Sequence, residues 1–384
     1  MFLPLILQGV NMKIGVLKEI VEGESRVAAT PETVKKMIAL SHSVSIEAGA
    51  GIQASISDED YRNNGADIVS RDQALKSDLL LMVRPLSEKE ITTLKPTQFL
   101  VGMLEPFNNE LQNLLKKQGV SAFALEALPR NTRAQSMDVL SSQANIAGYK
   151  AVILAADYYK KFMPMLMTAA GTVKAAKVIV LGAGVAGLQA VATAKRLGAV
   201  VEASDVRPSV QEQIESLGGK FIEVPFETKE EKECAIGQGG YAKPMPKSWL
   251  TRQSKIVAEK AISADIIITS ALIPGKSPPQ LLSEETVKKM KFGSVIVDMA
   301  AGSGSDGSGN CPLTQNNKVC QVENVTIIGF NNLPSMLSTD ASALYSRNIL
   351  EFTKLLINES GQLHINDDDE LVTETLISKN NKKG

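Results

Sequence analysis

The chain has 384 residues, of which 44% are hydrophobic and 22% charged, a composition that excludes a disordered chain, a collagen and a disulfide scaffold. With 41 basic and 42 acidic residues the net charge is −1, and only 4% of residues are aromatic, so nothing indicates nucleic-acid binding. Three cysteines without a C-x-x-C pair and only two histidines predict a reducing compartment and no metal site.

The first eleven residues are apolar but lack the basic residues and cleavage site of a signal peptide. No apolar stretch elsewhere approaches the roughly 20 residues that a membrane span requires. We therefore expect a soluble, cytoplasmic protein whose first strand begins at Met12.

Short apolar runs alternate with helical patterns along the N-terminal portion of the chain. A helix is predicted at 31–40 with Thr30 as its N-cap, and strands at 13–17, 44–47, 78–83, 99–104 and 120–125. This alternation predicts βαβ units and a parallel sheet. A long helix, predicted at 137–162, is expected to link this domain to a second one.

A second alternating block begins near Ala176. Its six predicted strands, the number in a full dinucleotide-binding sheet, are 177–181, 200–204, 220–223, 265–269, 294–298 and 325–329. A helix predicted at 338–356 is expected to pack back on the first domain, and the polar residues 375–384 are expected to fray. The predicted division is therefore 1–137 plus 336–384 for one domain and 138–335 for the other.

Two segments lack periodicity and are predicted to be loops. Residues 228–247 are charged and contain several glycines, and residues 301–310 approach low complexity. Each is either a solvated surface loop or a lid over a ligand, because long loops in compact domains are often functional.

One motif carries a specific chemical prediction. The apolar run 177–181 is followed by Gly182, Gly184 and Gly187 in G-x-G-x-x-G spacing, and then by a helical pattern. The first glycine permits a tight turn, the second lets the backbone approach a pyrophosphate, and the third lets helix and strand pack closely. The helix N-terminus would attract the phosphates.

An acidic residue makes the motif more specific. Asp205 ends the next predicted strand, 205 − 182 = 23 residues after the first glycine. A carboxylate there accepts hydrogen bonds from the adenosine ribose and repels a 2′-phosphate, which favours NAD(H) over NADP(H). Arg207 leaves the alternative open, because an arginine can bind a 2′-phosphate, and Asp205 could also be an ordinary turn residue.

A polar cluster precedes the long helix. It comprises Arg130, Arg133, Gln135, Asp138 and Ser141, which crowd a short stretch at the predicted domain boundary. Such boundaries often hold ligands. Helix capping explains the same residues equally well, with Thr132 or Ser136 as N-cap and Asp138 in the first turn.

Several segments resemble the NAD(H)-binding domain I of the proton-translocating NAD(P) transhydrogenases. They are PRNTRAQSMDVLSSQANIAGYKAV, TAAGTVKAAKVIVLGAGVAGLQAVATAKRLGA, GGYAKPM and SALIPGK. MKIGVLKE and ESRVAATPETVKKM resemble both this family and its relative alanine dehydrogenase, whereas RAQSMD resembles the transhydrogenase branch. Residues 301–310 depart from the family pattern, so they receive no ligand assignment.

The resemblance implies an α/β fold with two Rossmann-like domains with parallel sheets, joined by long helices. It also implies direct hydride transfer between NADH and NADP⁺, coupled to proton translocation. NAD(H) would bind this chain, and NADP(H) would bind a partner subunit that belongs to a membrane-embedded assembly. The chain would then be a homodimer, cytoplasmic, and held at the inner membrane through its partners.

The resemblance further implies site residues. Gln135, Asp138 and Arg130 would position the nicotinamide, while Gly240 and Tyr241 match a mobile lid and Gln253 and Leu272 match cofactor contacts. The full set of implied NAD(H)-binding residues is Arg130, Asn131, Thr132, Arg133, Gln135, Ser136, Met137, Asp138, Ser141, Gly182, Gly184, Val185, Ala186, Gly187, Asp205, Val206, Arg207, Gly240, Tyr241, Gln253 and Leu272. A plain core role for Leu272 stays open.

Two other functions are compatible with parts of this pattern. Alanine dehydrogenase is one, because Arg26 matches its substrate-carboxylate arginine. Met103 nevertheless lies near the position of the catalytic histidine of that enzyme, and Arg84 replaces a lysine-bearing pattern. An NAD-sensing subunit without catalysis is the other, although the intact glycines, Asp205 and the RAQSMD segment argue against a degenerate site.

Overall fold

A computed structural model describes residues 12–236, 243–273, 275–304, 306–358 and 360–380. The described chain divides into two units: unit 1 extends to Gln143 and resumes at Ser335, and unit 2 is Ala144–Pro334. The division after Gln143 falls inside the long helix, several residues beyond the predicted boundary at 137. Gln143 stays with unit 1 because its amide accepts from Arg26 Nη1 at 2.9 Å and donates to the Ala341 carbonyl at 3.1 Å.

The strands and helices follow the predicted alternation. The strands are β1 (Lys13–Val16), β2 (Ser43–Glu47), β3 (Asp67–Val69), β4 (Leu79–Leu81), β5 (Phe99–Gly102), β6 (Ser121–Ala124), β7 (Leu166–Thr168), β8 (Gly171–Val173), β9 (Lys177–Leu181), β10 (Val200–Ser204), β11 (Lys220–Phe221), β12 (Ile266–Thr269), β13 (Val295–Asp298), β14 (Val319–Val322), β15 (Val325–Ile328) and β16 (Leu376–Ser378). The α-helices are α1 (Pro31–Ala39), α2 (Asp58–Asn63), α3 (Arg71–Ala74), α4 (Glu88–Ile91), α5 (Asn109–Gln118), α6 (Val139–Tyr158), α7 (Val185–Arg196), α8 (Gln211–Ser216), α9 (Lys229–Ile236), α10 (Lys247–Ile262), α11 (Glu284–Lys288), α12 (Ser338–Thr353) and α13 (Glu370–Thr375).

Unit 1 contains a sheet of seven described strands in the order β3-β2-β1-β4-β5-β6-β16. The first six are parallel in the 3-2-1-4-5-6 order of a doubly wound dinucleotide-binding fold. Its central strands are continuously apolar because both faces are covered. In β4, Leu79 and Leu81 enter one core cluster and Leu80 enters the other.

The C-terminal segment of unit 1 corrects one prediction. Residues 375–380 do not fray, because β16 pairs antiparallel with the edge strand β6. The Ser378 hydroxyl also donates to the Val120 carbonyl at 2.8 Å. The helix predicted at 338–356 is confirmed as α12 with a following 3₁₀ turn, and it packs within unit 1 as expected.

Unit 2 repeats the same strand order. Its described seven-stranded sheet runs β11-β10-β9-β12-β13-β15-β14, in which β14 is antiparallel to β15 and the others are parallel. The six predicted strands are confirmed, while β14 and the hairpin β7–β8 were not predicted. The fold class is therefore α/β with two Rossmann-like units, as the resemblance implied.

The segment predicted as one loop at 228–247 is partly wrong, because Lys229–Ile236 forms helix α9. A buried Glu231 carboxylate ties α9 to α10 by accepting from Arg252 Nη2 at 2.6 Å and from the Ser248 hydroxyl at 2.9 Å. Such tertiary contacts are invisible to local periodicity. Among the described residues, no helix is both long and apolar enough to cross a bilayer.

Candidate functional site

The glycine turn (residues 182–187) joins β9 to α7 at the carboxyl end of the unit 2 sheet. Gly182 has a φ of +95°, a conformation that disfavours any side chain. A Cβ on Gly187 would lie 1.8 Å from the Gly182 carbonyl oxygen, so only glycine fits there. A Cβ on Gly184 would meet nothing within 4 Å, which leaves open space beside the N-terminus of α7. All three glycines therefore have the geometry that the motif predicts.

Two residues that the sequence did not single out support this turn. The Ser270 hydroxyl, at the end of β12, donates to the Gly182 carbonyl at 2.9 Å. Gly148 on α6 lies so close to α7 that a Cβ there would be 2.1 Å from the Ala186 carbonyl oxygen. A glycine inside a strongly helical pattern was the one available signal for Gly148, because it usually marks close packing.

Asp205 lies directly beyond β10 and faces the glycine turn. Its Oδ2 accepts the Ala183 N–H at 2.8 Å, which fixes the turn against the neighbouring strand. Arg207 donates to the same carboxylate from its main-chain N–H, its Nε and its Nη2, each at 2.9 Å. The guanidinium is thus held as a bidentate partner of Asp205, a strong, charge-assisted geometry.

The other unit 2 candidates lie around the same edge of the sheet. Val185 is exposed, Ala186 and Val206 are half-buried, and Leu272 follows β12 with 48% of its surface exposed. That exposure is inconsistent with a plain core leucine. Gln253 lies on α10. Gly240 and Tyr241 lie outside the described residues.

The polar cluster of unit 1 forms two consecutive helix caps. The Asn131 side chain accepts the Ala134 N–H at 3.0 Å and begins the 3₁₀ helix Thr132–Met137. The Asp138 carboxylate accepts the Ser141 N–H at 2.9 Å and its hydroxyl at 2.5 Å at the start of α6. Capping is therefore real, but the capping residues are Asn131 and Asp138 and not Thr132 or Ser136.

The remaining residues of this segment differ in their partners. Arg133 makes a bidentate ion pair with Asp369, the residue that caps α13, at 2.7 and 3.2 Å. Gln135 is exposed, whereas Met137 is buried in the core of unit 1. Arg130, Thr132 and Ser136 are also exposed. The segment therefore combines fixed caps with an outward-facing polar surface.

Unit 1 also contains a buried charged cluster at the carboxyl end of its sheet, which the sequence did not reveal. Glu24 pairs with Arg26 at 2.6 Å and with Arg84 at 3.0 Å. Burial opposes ionisation of Glu24, but the two guanidiniums lower its pKa to about 2. Glu19 accepts the Val83 and Arg84 N–H groups at 2.6 and 3.1 Å, and burial raises its pKa to about 7.

The candidate residues thus form two groups, one in each unit. In unit 2 the described structure brings together the glycine turn, Asp205 and Arg207. In unit 1 it gathers residues 130–141 around the start of α6. In the first group Asp205 supplies an anionic acceptor beside an open helix N-terminus, which are the features needed to hold a ribose and a pyrophosphate.

Comparison with known proteins gives consistent matches over both units. Family models described as alanine dehydrogenase/PNT, N-terminal domain and C-terminal domain match residues 15–147 and 151–383. An NAD(P) transhydrogenase subunit alpha polypeptide of Rhodospirillum rubrum is 46% identical over 377 residues, which is 96% of each chain. The crystal structure of transhydrogenase from Sinorhizobium meliloti is 41% identical, with a TM-score of 0.85 over 96% of this chain and 99% of that one. Alanine dehydrogenase 1 of Staphylococcus aureus strain Mu50 is 28% identical, over 94% of this chain and 92% of its own.

Proposed function

The chain belongs to the NAD(P) transhydrogenase alpha-subunit family, within the wider alanine dehydrogenase/PNT group, and from this premise we propose that it is the NAD(H)-binding subunit of a proton-translocating transhydrogenase. Its role would be to hold NAD(H) for direct hydride exchange with NADP(H) on a partner subunit. Proton movement would be coupled to this exchange by membrane-embedded subunits.

The observation that supports NAD(H) binding most strongly is the contact between Asp205 and the glycine turn. The carboxylate lies within 2.8 Å of the Ala183 N–H, at the edge where β9 and β12 carry the switch in strand order. Ligands of doubly wound folds bind at this point. Gly184 and the α7 N-terminus would receive the pyrophosphate, and Asp205 would accept the ribose hydroxyls. Val185, Ala186, Val206, Arg207, Gln253 and Leu272 would complete this region of the site.

When bound, the nicotinamide ring supplies or receives the hydride. The chain's own residues then have to orient that ring and exclude water, because hydride transfer between two rings needs no general base. We assign this positioning to Gln135, Asp138 and Arg130. Asp138 holds the segment through the α6 cap, and Gln135 presents an exposed amide. Asn131, Thr132, Arg133, Ser136, Met137 and Ser141 would shape the same segment.

The hairpin β7–β8 supports a homodimer. Its residues are fully exposed in the chain, and several large apolar side chains lie on or beside it, including Phe162, Met165 and Met167. A two-stranded hairpin is marginally stable alone, and an exposed apolar patch usually marks a protein interface. We propose that a second copy of the chain covers it. Association with the membrane subunits would then keep the dimer at the cytoplasmic face of the inner membrane.

Alanine dehydrogenase activity is less compatible with the described side chains. Arg26, which would bind a substrate carboxylate, is buried and already donates to Glu24 and Gln143. Met103, at the end of β5, has no acid–base chemistry. These contacts favour the transhydrogenase branch.

Equilibrium binding tests this proposal at its first step. The protein, titrated with NADH and with NADPH, is expected to bind NADH at least about tenfold more tightly, a difference of about 1.4 kcal/mol. A parallel assay supplies alanine and NAD⁺ and is expected to give no NAD⁺ reduction. Tighter binding of NADPH, or steady oxidation of alanine, would contradict the proposal.

A further inference from the structure

Asn310, the last residue of the glycine-rich segment 301–310, is completely buried. Its side chain accepts the Ala271 N–H at 3.0 Å and donates to the Ala271 and Pro279 carbonyls at 2.9 and 2.8 Å. The Asn310 carbonyl also accepts the Leu281 N–H at 2.9 Å. One amide group therefore holds both ends of the connection that leaves β12.

That connection lies against the glycine turn. Ser270, its first residue, donates to Gly182, and Ala271 is held by Asn310, so Leu272 is the next residue along the chain. A continuous set of hydrogen bonds thus runs from Gly182 through Ser270 and Ala271 to Asn310. The conformation of the exposed residues Leu272 and Ile273 depends on these bonds at the base of the segment.

Asn310 is itself fixed by a buried carboxylate. Asp298, at the end of β13, accepts the Asn310 N–H at 3.2 Å and also the N–H groups of Ala300 and Cys311. A Cβ on Gly309 would lie 2.5 Å from the Asp298 carboxylate, so the chain reaches this position only with glycine. The departing and returning ends of the glycine-rich segment are thereby held at one point.

We propose that Asn310 is a positioning residue for NAD(H) binding, which orients the Ala271–Leu272 backbone against the glycine turn through its three side-chain hydrogen bonds. The inference rests on the NAD(H)-binding function proposed above. It gives the atypical segment 301–310 a role as an anchor beneath the site and not as a lid over it.

An isosteric substitution isolates this role. In Asn310→Asp the oxygen that accepts from Ala271 remains, but the donor group becomes a second oxygen that faces the Ala271 and Pro279 carbonyls. The expected result is that the connection shifts and the NADH Kd rises about tenfold at pH 8, the effect of about one hydrogen bond. Acidification restores a donor, because the buried carboxyl becomes protonated, so the ratio of variant to wild-type Kd should fall by pH 6.

Ser294→Ala provides a matched control. Ser294 is buried at the amino end of β13, where its hydroxyl donates to the Ala264 carbonyl at 3.2 Å, and it lies at the edge opposite the glycine turn. This variant is expected to lower the unfolding temperature while its NADH Kd stays within about twofold of wild type. If Asn310→Asp does not fold, Asn310→Ala replaces it, and its Kd is expected to rise about tenfold without recovery at pH 6.

NADH fluorescence titrations at pH 6 and pH 8, with thermal unfolding of each variant, separate the outcomes. A raised, pH-dependent Kd in Asn310→Asp with an unchanged Kd in Ser294→Ala supports the inference. A wild-type Kd in a folded Asn310 variant, or an equal rise in Ser294→Ala, overturns it while the proposed function stands. Failure of the wild-type protein to bind NADH overturns both.

Discussion

Asp205→Asn is the substitution that most directly probes the proposed ribose contact. The Asp205 side chain is only 7% exposed, and its carboxylate accepts one N–H from Ala183 and three from Arg207, at 2.8 to 2.9 Å. An asparagine keeps the shape but replaces one acceptor oxygen with a donor. The bidentate pair with Arg207 is then lost, together with the negative charge that would repel a 2′-phosphate.

The expected magnitude follows from the number of charged hydrogen bonds at stake. Loss of one or two bonds to a carboxylate weakens binding by about 1–3 kcal/mol, so the NADH Kd should rise roughly 5- to 150-fold. NADPH binding should weaken less or improve, because the repulsion disappears and Arg207 is released. The ratio of the NADPH Kd to the NADH Kd should therefore fall by at least about tenfold.

Fluorescence titration with both nucleotides measures these changes. Glu202→Gln is the control, because Glu202 lies on the same strand and pairs with Lys260 at 2.9 Å, away from the glycine turn. It makes the same change in charge and should leave both Kd values within about twofold. An unchanged NADH Kd in a folded Asp205→Asn variant, or the same effect in Glu202→Gln, would refute the reasoning.

Three further predictions concern other regions of the chain. Gln135→Asn should slow single-turnover hydride transfer at least about tenfold while the NADH Kd changes less than about threefold, because it withdraws a positioning amide; equal losses would contradict that role. Gly187→Ala should lower the free energy of unfolding in urea by about 2–4 kcal/mol, because its Cβ would lie 1.8 Å from Gly182, whereas Gly184→Ala should cost under about 1 kcal/mol; similar costs would show that the turn tolerates side chains. The pKa of Glu19 is raised from 4.5 to about 7 by burial, so its stabilising protonated form is complete below pH 4.5 and lost as the pH rises through 7. Glu19→Gln does not titrate, so the unfolding free energy of wild type minus that of the variant should fall by about 2 kcal/mol from pH 5 to pH 8, and a constant difference would disprove the assignment.

The central strands were predictable because burial on both faces leaves a clear pattern. Strands such as β9 and β13 are short apolar runs that end in glycine or aspartate. The edge strands β3, β14 and β16 were missed because one side of each lacks a neighbour, so their residues are more polar. Helix α9 was missed because its charged face is stabilised by Arg252, 21 residues from Glu231.

The two regions of the candidate site differed in how far the sequence predicted their local structure. The glycine turn is local, and each of its three glycines has a distinct steric reason that spacing alone conveys. The polar cluster at 130–141 was compatible with both binding and capping, and the structure shows caps at Asn131 and Asp138. Asn310 could not be recognised, because its partner Ala271 is 39 residues away and no local pattern links them.

Hydride transfer with a partner is the most direct test of the proposed function. The protein would be mixed with the NADP(H)-binding domain of a related transhydrogenase, and transfer from NADPH to an NAD⁺ analogue would be followed spectroscopically. Rapid transfer that requires both proteins is the predicted result. No transfer in a mixture in which both nucleotides are shown to be bound would contradict the assignment of this chain as a transhydrogenase subunit.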